Sequence, residues 1–243
     1  MNELDMIRQN LLRESCDFIE YLADWKEKLP TESMAEIIRD ARGADHVAII
    51  SVDVIEGFCR VGPLASDRIK GIIAPVVNLF KKAHQMGVRH IALSQDAHRE
   101  DSREFQAFPP HCIQGTREAQ TVEEFKALPF FEEFDIFTKN SISSSLETGL
   151  GEWLNSRDIR KIIVVGDCTD LCANQLATFI RHLANTLHNQ WEVILPENCV
   201  QTYDLPVKTA LEIGAPPHPG DFFHLVFLYH MSLEGIRVVS RIE

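Results

Sequence analysis

Asp53, Asp96, His98, Lys139 and Cys172 each lie close behind a short apolar run, and His111 sits in the loop Phe108-Pro109-Pro110-His111-Cys112. A free thiol titrates near ~8.5 and is mostly protonated at neutral pH. Cys172 opens a helical pattern, where the positive end of the helix dipole is expected to favour thiolate. A carboxylate such as Asp53 can take the thiol proton as a general base, and a nearby Lys139 would keep that carboxylate ionised. Backbone N–H groups at the turn around Cys168 and Cys172 are expected to form an oxyanion hole. These parts make an acyl-transfer site with no histidine base.

Asp96 and His98 are two residues apart, so continued strand geometry puts their side chains on one face. With His111 they form an Asp/His/His set suited to Zn, Fe or Mn, and Glu104 is a candidate fourth ligand. Each residue taken alone also has an ordinary reading. A lone Asp after a strand is commonly a turn former, and a Cys opening a helix is commonly a small apolar residue. The histidines and Lys139 could be solvated loop residues, and Glu104 a solvated carboxylate. Cys168 and Cys172, four apart, could share a helix face as metal or redox partners, but no second Cys/His pair with matching spacing follows. Cys112 and Cys199 read as buried thiols.

What unites the candidates is their position relative to the elements. Buried-strand runs occur at 46–52, 89–93, 134–138, 162–165, 192–195 and 236–239. Amphipathic helical patterns lie at 67–86, 171–188 and 221–234, with Gly87 placed to end the first. Such alternation predicts a three-layer α/β/α fold with a six-stranded, mainly parallel sheet. Ligands bind such sheets beyond the carboxyl ends of the strands, where these candidates lie. Residues 3–27 suggest one or two amphipathic helical stretches, and Thr31 is a candidate cap for a second helix running to about Ala41. The expected organisation is a helical extension over 1–45, packing on the main body or on another subunit, followed by one domain over 46–243.

The segment Val52-Asp53-Val54-Ile55-Glu56-Gly57-Phe58-Cys59, then Lys139, then Gly166-Asp167-Cys168-Thr169-Asp170-Leu171-Cys172 resemble the three motifs of the isochorismatase-like cysteine hydrolases. Asp96-Ala97-His98 and Phe108 to Thr116 resemble the metal-binding segments of the nicotinamidases within that superfamily. The resemblance covers about 46 to 241. It implies Asp53, Lys139 and Cys172 as catalytic residues, backbone amides of Cys168 and Cys172 as the oxyanion hole, and a cis peptide before Cys168. It further implies Phe58 and Phe108 as aromatic walls for a flat substrate, and a divalent metal, zinc above all, on Asp96, His98, His111 and in some members Glu104. The expected activity is conversion of nicotinamide or a related small amide to the acid and ammonia. The same machinery in relatives acts on other amide or ureido compounds, or as an isochorismatase; a non-catalytic binding or assembly role is the alternative of another class. Thr202-Tyr203-Asp204-Leu205-Pro206, His218-Pro219 and Val238-Val239-Ser240 resemble the subgroup that includes plant nicotinamidases. Glu56-Gly57 and Phe108 depart from the usual asparagine-aspartate and tryptophan, and are expected to alter pocket shape.

Composition sets the bounds. Asp and Glu outnumber Lys and Arg 36 to 24, giving a formal charge of -12 over 243 residues. That excess argues against nucleic-acid or anionic-membrane partners but not against a small neutral substrate. Six cysteines without a CxxC pair, together with an N-terminus lacking a secretory signal, point to free thiols and a cytoplasmic setting. A homo-oligomer is expected by analogy with the family.

Overall fold

A computed structural model describes residues 2–243. Its strands are β1 (Thr31–Glu32), β2 (Val47–Val52), β3 (His90–Asp96), β4 (Asp135–Lys139), β5 (Lys161–Asp167), β6 (Glu192–Pro196), β7 (Val200–Gln201), β8 (Arg237–Val239) and β9 (Arg241–Ile242). The helices are α1 (Glu3–Glu27), α2 (Met34–Ala41), α3 (Glu56–Cys59), α4 (Asp67–Lys70), α5 (Ile73–Gln85), α6 (Glu123–Lys126), α7 (Leu150–Asn155), α8 (Cys172–Leu187), α9 (Val207–Ile213) and α10 (Gly220–Leu233).

Alternation along the strands builds the two apolar layers. In β2, Val47 and Ile49 pack into one cluster with Val76, Phe80 and Ile37, while Ala48, Ile50 and Val52 pack into the other with Leu176, Ile180 and Leu228. Both faces are thus covered by helices, as a parallel sheet requires. The main sheet runs β4-β3-β2-β5-β6-β8, entirely parallel, with β7 pairing β5 as a short seventh strand. Chain order reverses between β2 and β5, and at such a point the loops beyond the strand ends part to leave a crevice.

Several expectations change in detail. The 67–86 pattern breaks at Gly71 into α4 and α5. Thr31 does not cap a helix; it pairs with Arg241 in a separate parallel ladder of β1 and β9, and Ser33 is the residue before α2. Two-residue strands leave no alternating pattern to read, which is why that ladder escapes the sequence. Residues 3–27 form one continuous helix, started by a capping box between Asn2 and Asp5. The second half of α1 lies on α10, where Phe18, Tyr21 and Trp25 surround the Tyr229 ring at 5.7, 5.7 and 5.3 Å. Its first half leaves Leu4, Ile7, Leu11 and Leu12 exposed.

Candidate active site

Three neighbouring strands deliver the central charges. Asp53 follows β2, Asp96 closes β3 and Lys139 closes β4, all buried. Register places Asp96 directly opposite Lys139. The Lys139 Nζ lies 2.7 Å from Asp53 Oδ2, 2.5 Å from Asp96 Oδ1 and 3.6 Å from Cys172 Sγ. Asp53 occupies a left-handed backbone conformation (φ 55°) and its Oδ1 accepts the Asp96 backbone N–H at 2.8 Å. One ammonium therefore touches both carboxylates and the thiol.

The electrostatics separate the two acids. Burial, aided by Asp96, pushes the Asp53 carboxyl up to about 7, against the pull of Lys139. Asp96 is also buried, but Lys139 and then His98 outweigh that effect and hold it below the ordinary carboxylate range. Burial opposes the charge on Lys139, yet the Asp53 and Asp96 carboxylates hold its pKa well above the usual lysine value. The Cys172 thiol corrects an expectation. Burial drives its pKa well above the ordinary thiol value, and Lys139 offsets this only in part. That balance favours the protonated thiol, and Asp53 lies close enough for Cys172 to bear on its own titration.

β5 supplies the turn that carries the sulfur. Gly166 adopts φ 114° against β2, where a Cβ would fall 1.9 Å from the Val52 carbonyl oxygen, so only glycine fits. The Asp167–Cys168 peptide is cis, as the resemblance implied. Thr169 N–H donates to Gln201, and the N–H groups of Leu171 and Ala173 both donate to the Cys168 carbonyl. Among the described residues no carbonyl accepts the N–H of Cys168 or of Cys172. Both donors are thus left unengaged in the turn that leads into Cys172, an arrangement suited to a developing oxyanion.

Asp96, His98, Glu104 and His111 bring their donor atoms within 4.8 Å of one another. His98 Nε2 is 3.3 Å from Asp96 Oδ2 and 3.7 Å from Glu104 Oε1. His111 Nδ1 faces the Pro109 carbonyl at 2.8 Å, which leaves Nε2 as the ligand atom, and burial pulls its pKa down toward the neutral form. Glu104 Oε2 accepts the Ile142 N–H, which turns Oε1 inward. Both ring nitrogens of His98 are buried without a hydrogen-bond partner. Two imidazoles, two carboxylates and an orphaned buried nitrogen fit a divalent cation.

A cavity opens over Cys172 and the Asp96/His111 edge of this cluster. Phe58 and Phe108 line it, joined by Leu64, Ile69, Leu171 and Tyr203. Glu56-Gly57 acts behind the pocket. Their N–H groups donate to Gln120 and Glu118, and a Cβ on Gly57 would meet Cys112 Sγ at 2.5 Å, so the pair holds the His111 loop close. Sequence reasoning gave no role to Asp167, which is among the residues lining the cavity, nor to the chain Thr169–His224–Glu197–Lys26 behind the turn (2.8, 3.3 and 2.8 Å). Asp167 carries a signal, an acid closing an apolar strand; the second set carries none, because its members come from four separate elements.

Comparison with known proteins agrees with this architecture. The isochorismatase domain model matches residues 47–212. Nicotinamidase 1 of Arabidopsis thaliana is 30% identical over 236 residues, spanning 90% of this chain and 94% of that protein. Among solved structures, the pyrazinamidase/nicotinamidase of Streptococcus mutans superposes with TM-score 0.65 at 20% identity, covering 79% of this chain and 99% of its own. A nicotinamidase of Bacillus subtilis gives 0.62 at 22% identity, covering 80% and 99%. The match across most of the chain, on a fold with the same parallel sheet, makes this protein a member of the isochorismatase family of hydrolases and a homologue of the nicotinamidases.

Proposed function

We propose that this chain hydrolyses a small amide, nicotinamide first among them, to the carboxylic acid and ammonia through a thioester on Cys172. The observation that carries the reading is the single buried ammonium of Lys139 in contact with Asp53, Asp96 and the Cys172 sulfur. Asp53 accepts the thiol proton as sulfur attacks the amide carbon. The N–H groups of Cys168 and Cys172 stabilise the oxyanion. The C–N bond then breaks, and the proton held on Asp53 passes to the departing nitrogen, releasing ammonia. Asp53 next takes a proton from water as its oxygen attacks the thioester, and returns that proton to the sulfur as the acid leaves. Lys139 balances the negative charge passing between Asp53 and Cys172 throughout.

Asp96, His98, His111 and Glu104 are the residues proposed to hold a divalent metal, zinc first. When bound, such an ion supplies a Lewis acid beside the substrate pocket. Phe58 and Phe108 offer apolar ring surfaces to a flat aromatic amide. The direct test is ammonia release from nicotinamide by wild type and by Cys172→Ala. The variant is expected to lose turnover by a factor of about 10⁴ or more, in line with loss of a catalytic nucleophile, while keeping its circular dichroism spectrum. Wild-type rates in Cys172→Ala would eliminate the covalent route.

A further inference from the structure

Asp167 is an acid in the wrong surroundings for a structural role. It is 1% exposed, closes β5 at the reversal point of the sheet, and lines the same cavity as Phe58, Phe108 and Leu171. Its Oδ2 faces only the Cys168 thiol, at 3.7 Å. Its Oδ1 is buried without any hydrogen-bond partner. Isolating a carboxyl oxygen this way costs the fold free energy that a valine would not cost. No protein donor reaches Oδ1, which leaves a pocket occupant to satisfy it.

We propose that Asp167 is a specificity-determining residue whose Oδ1 accepts a hydrogen bond from a second N–H donor on the substrate, beyond the scissile amide. The preferred substrates are then small amide or ureido compounds carrying an additional N–H, rather than amides with a wholly apolar flank. Burial and the neighbouring Asp53 push the Asp167 carboxyl well above its ordinary range, which favours the neutral group. A neutral carboxyl retains a carbonyl-type acceptor, and its proton is free to rest on the cysteine side. The inference rests on the amidase reading above and narrows it: nicotinamide remains a substrate, and an amide with a further N–H is the better one.

The test measures ammonia release from nicotinamide, its ring-amino derivatives and an N-carbamoyl amino acid, with wild type, Asp167→Val and Asp167→Asn. Wild type is expected to favour at least one donor-bearing compound over nicotinamide in kcat/KM by roughly tenfold or more, the scale of one well-placed hydrogen bond in a closed site. Asp167→Val should bring that ratio to about one, mainly through KM, with a melting temperature equal to or above wild type because the buried acid is gone. Asp167→Asn, which keeps the acceptor, should retain most of the preference. Should Asp167→Val fail to fold, Asp167→Ala takes its place in the comparison. Ammonia release with no donor preference in wild type, or a preference that survives in the apolar variant, overturns the role of Asp167 and leaves the amidase reading standing. No ammonia from any compound overturns both.

Discussion

Lys139 is a lysine with its charged end in the protein interior, held there by two carboxylates that would repel each other without it. Removing one partner of a buried charge set commonly costs about 3–5 kcal/mol, because the remaining charges keep their desolvation penalty. Lys139→Met is therefore expected to lower stability by that order in urea unfolding and to abolish amide hydrolysis. A variant as stable as wild type would show that the carboxylates find another counter-ion. At this scale most of the site was legible in the sequence. Asp53, Asp96, Lys139 and Cys172 stand where apolar runs stop, and a parallel sheet brings such positions together. What the residues could not disclose was the balance of opposing effects on the Cys172 thiol. The helix start was visible in the chain; the depth of burial that overrides it depends on loops packed over the pocket.

Among the elements, α8 begins at Cys172, the proposed nucleophile, and the turn before it is braced from behind. Thr169 Oγ1 meets His224 of α10, His224 meets Glu197, and Glu197 meets Lys26 of α1. Burial favours the neutral form of Glu197, but the hydrogen bonds from His224 and Lys26 prevail and bring its pKa to about 2 from 4.5. Its folded-state value is depressed, so its contribution to stability is complete above pH 4.5 and disappears as pH falls toward 2. Glu197→Gln should melt several degrees below wild type at neutral pH, with the gap closing across that acid window in melting curves recorded against pH. A gap independent of pH would assign the loss to packing instead. The six long strands were readable because each is an apolar run, whereas the break at Gly71 and the β1–β9 ladder were not. The first interrupts a periodic pattern without a proline, and the second pairs segments too short to show a pattern.

For the molecule as a whole, the Asp96/His98/Glu104/His111 cluster ties one long loop to the sheet. His98, Glu104 and His111 belong to the connection between β3 and β4, and Asp96 closes β3. A cation held there would bind the folded state and not the open chain. Zinc added to metal-stripped protein at about a thousand times its dissociation constant should stabilise it by about 4 kcal/mol, read as a rise in melting temperature. His98→Ala should remove most of that rise and lower the zinc found by elemental analysis. An undiminished response would place the cation elsewhere. No helix among the described residues is long and apolar enough to cross a membrane.

The order of strands in the sheet also has a consequence in time. β2 at Val47–Val52 lies between β3 and β5, so Asp53 and the Cys168–Cys172 turn become neighbours only after more than a hundred intervening residues are placed. Pairings that distant in the chain form slowly, because the entropy of closing large loops is spent before the contacts return it. Local helices can regain their signal early during renaturation without any working centre. Catalysis would return last, as the readout of the slowest long-range closure.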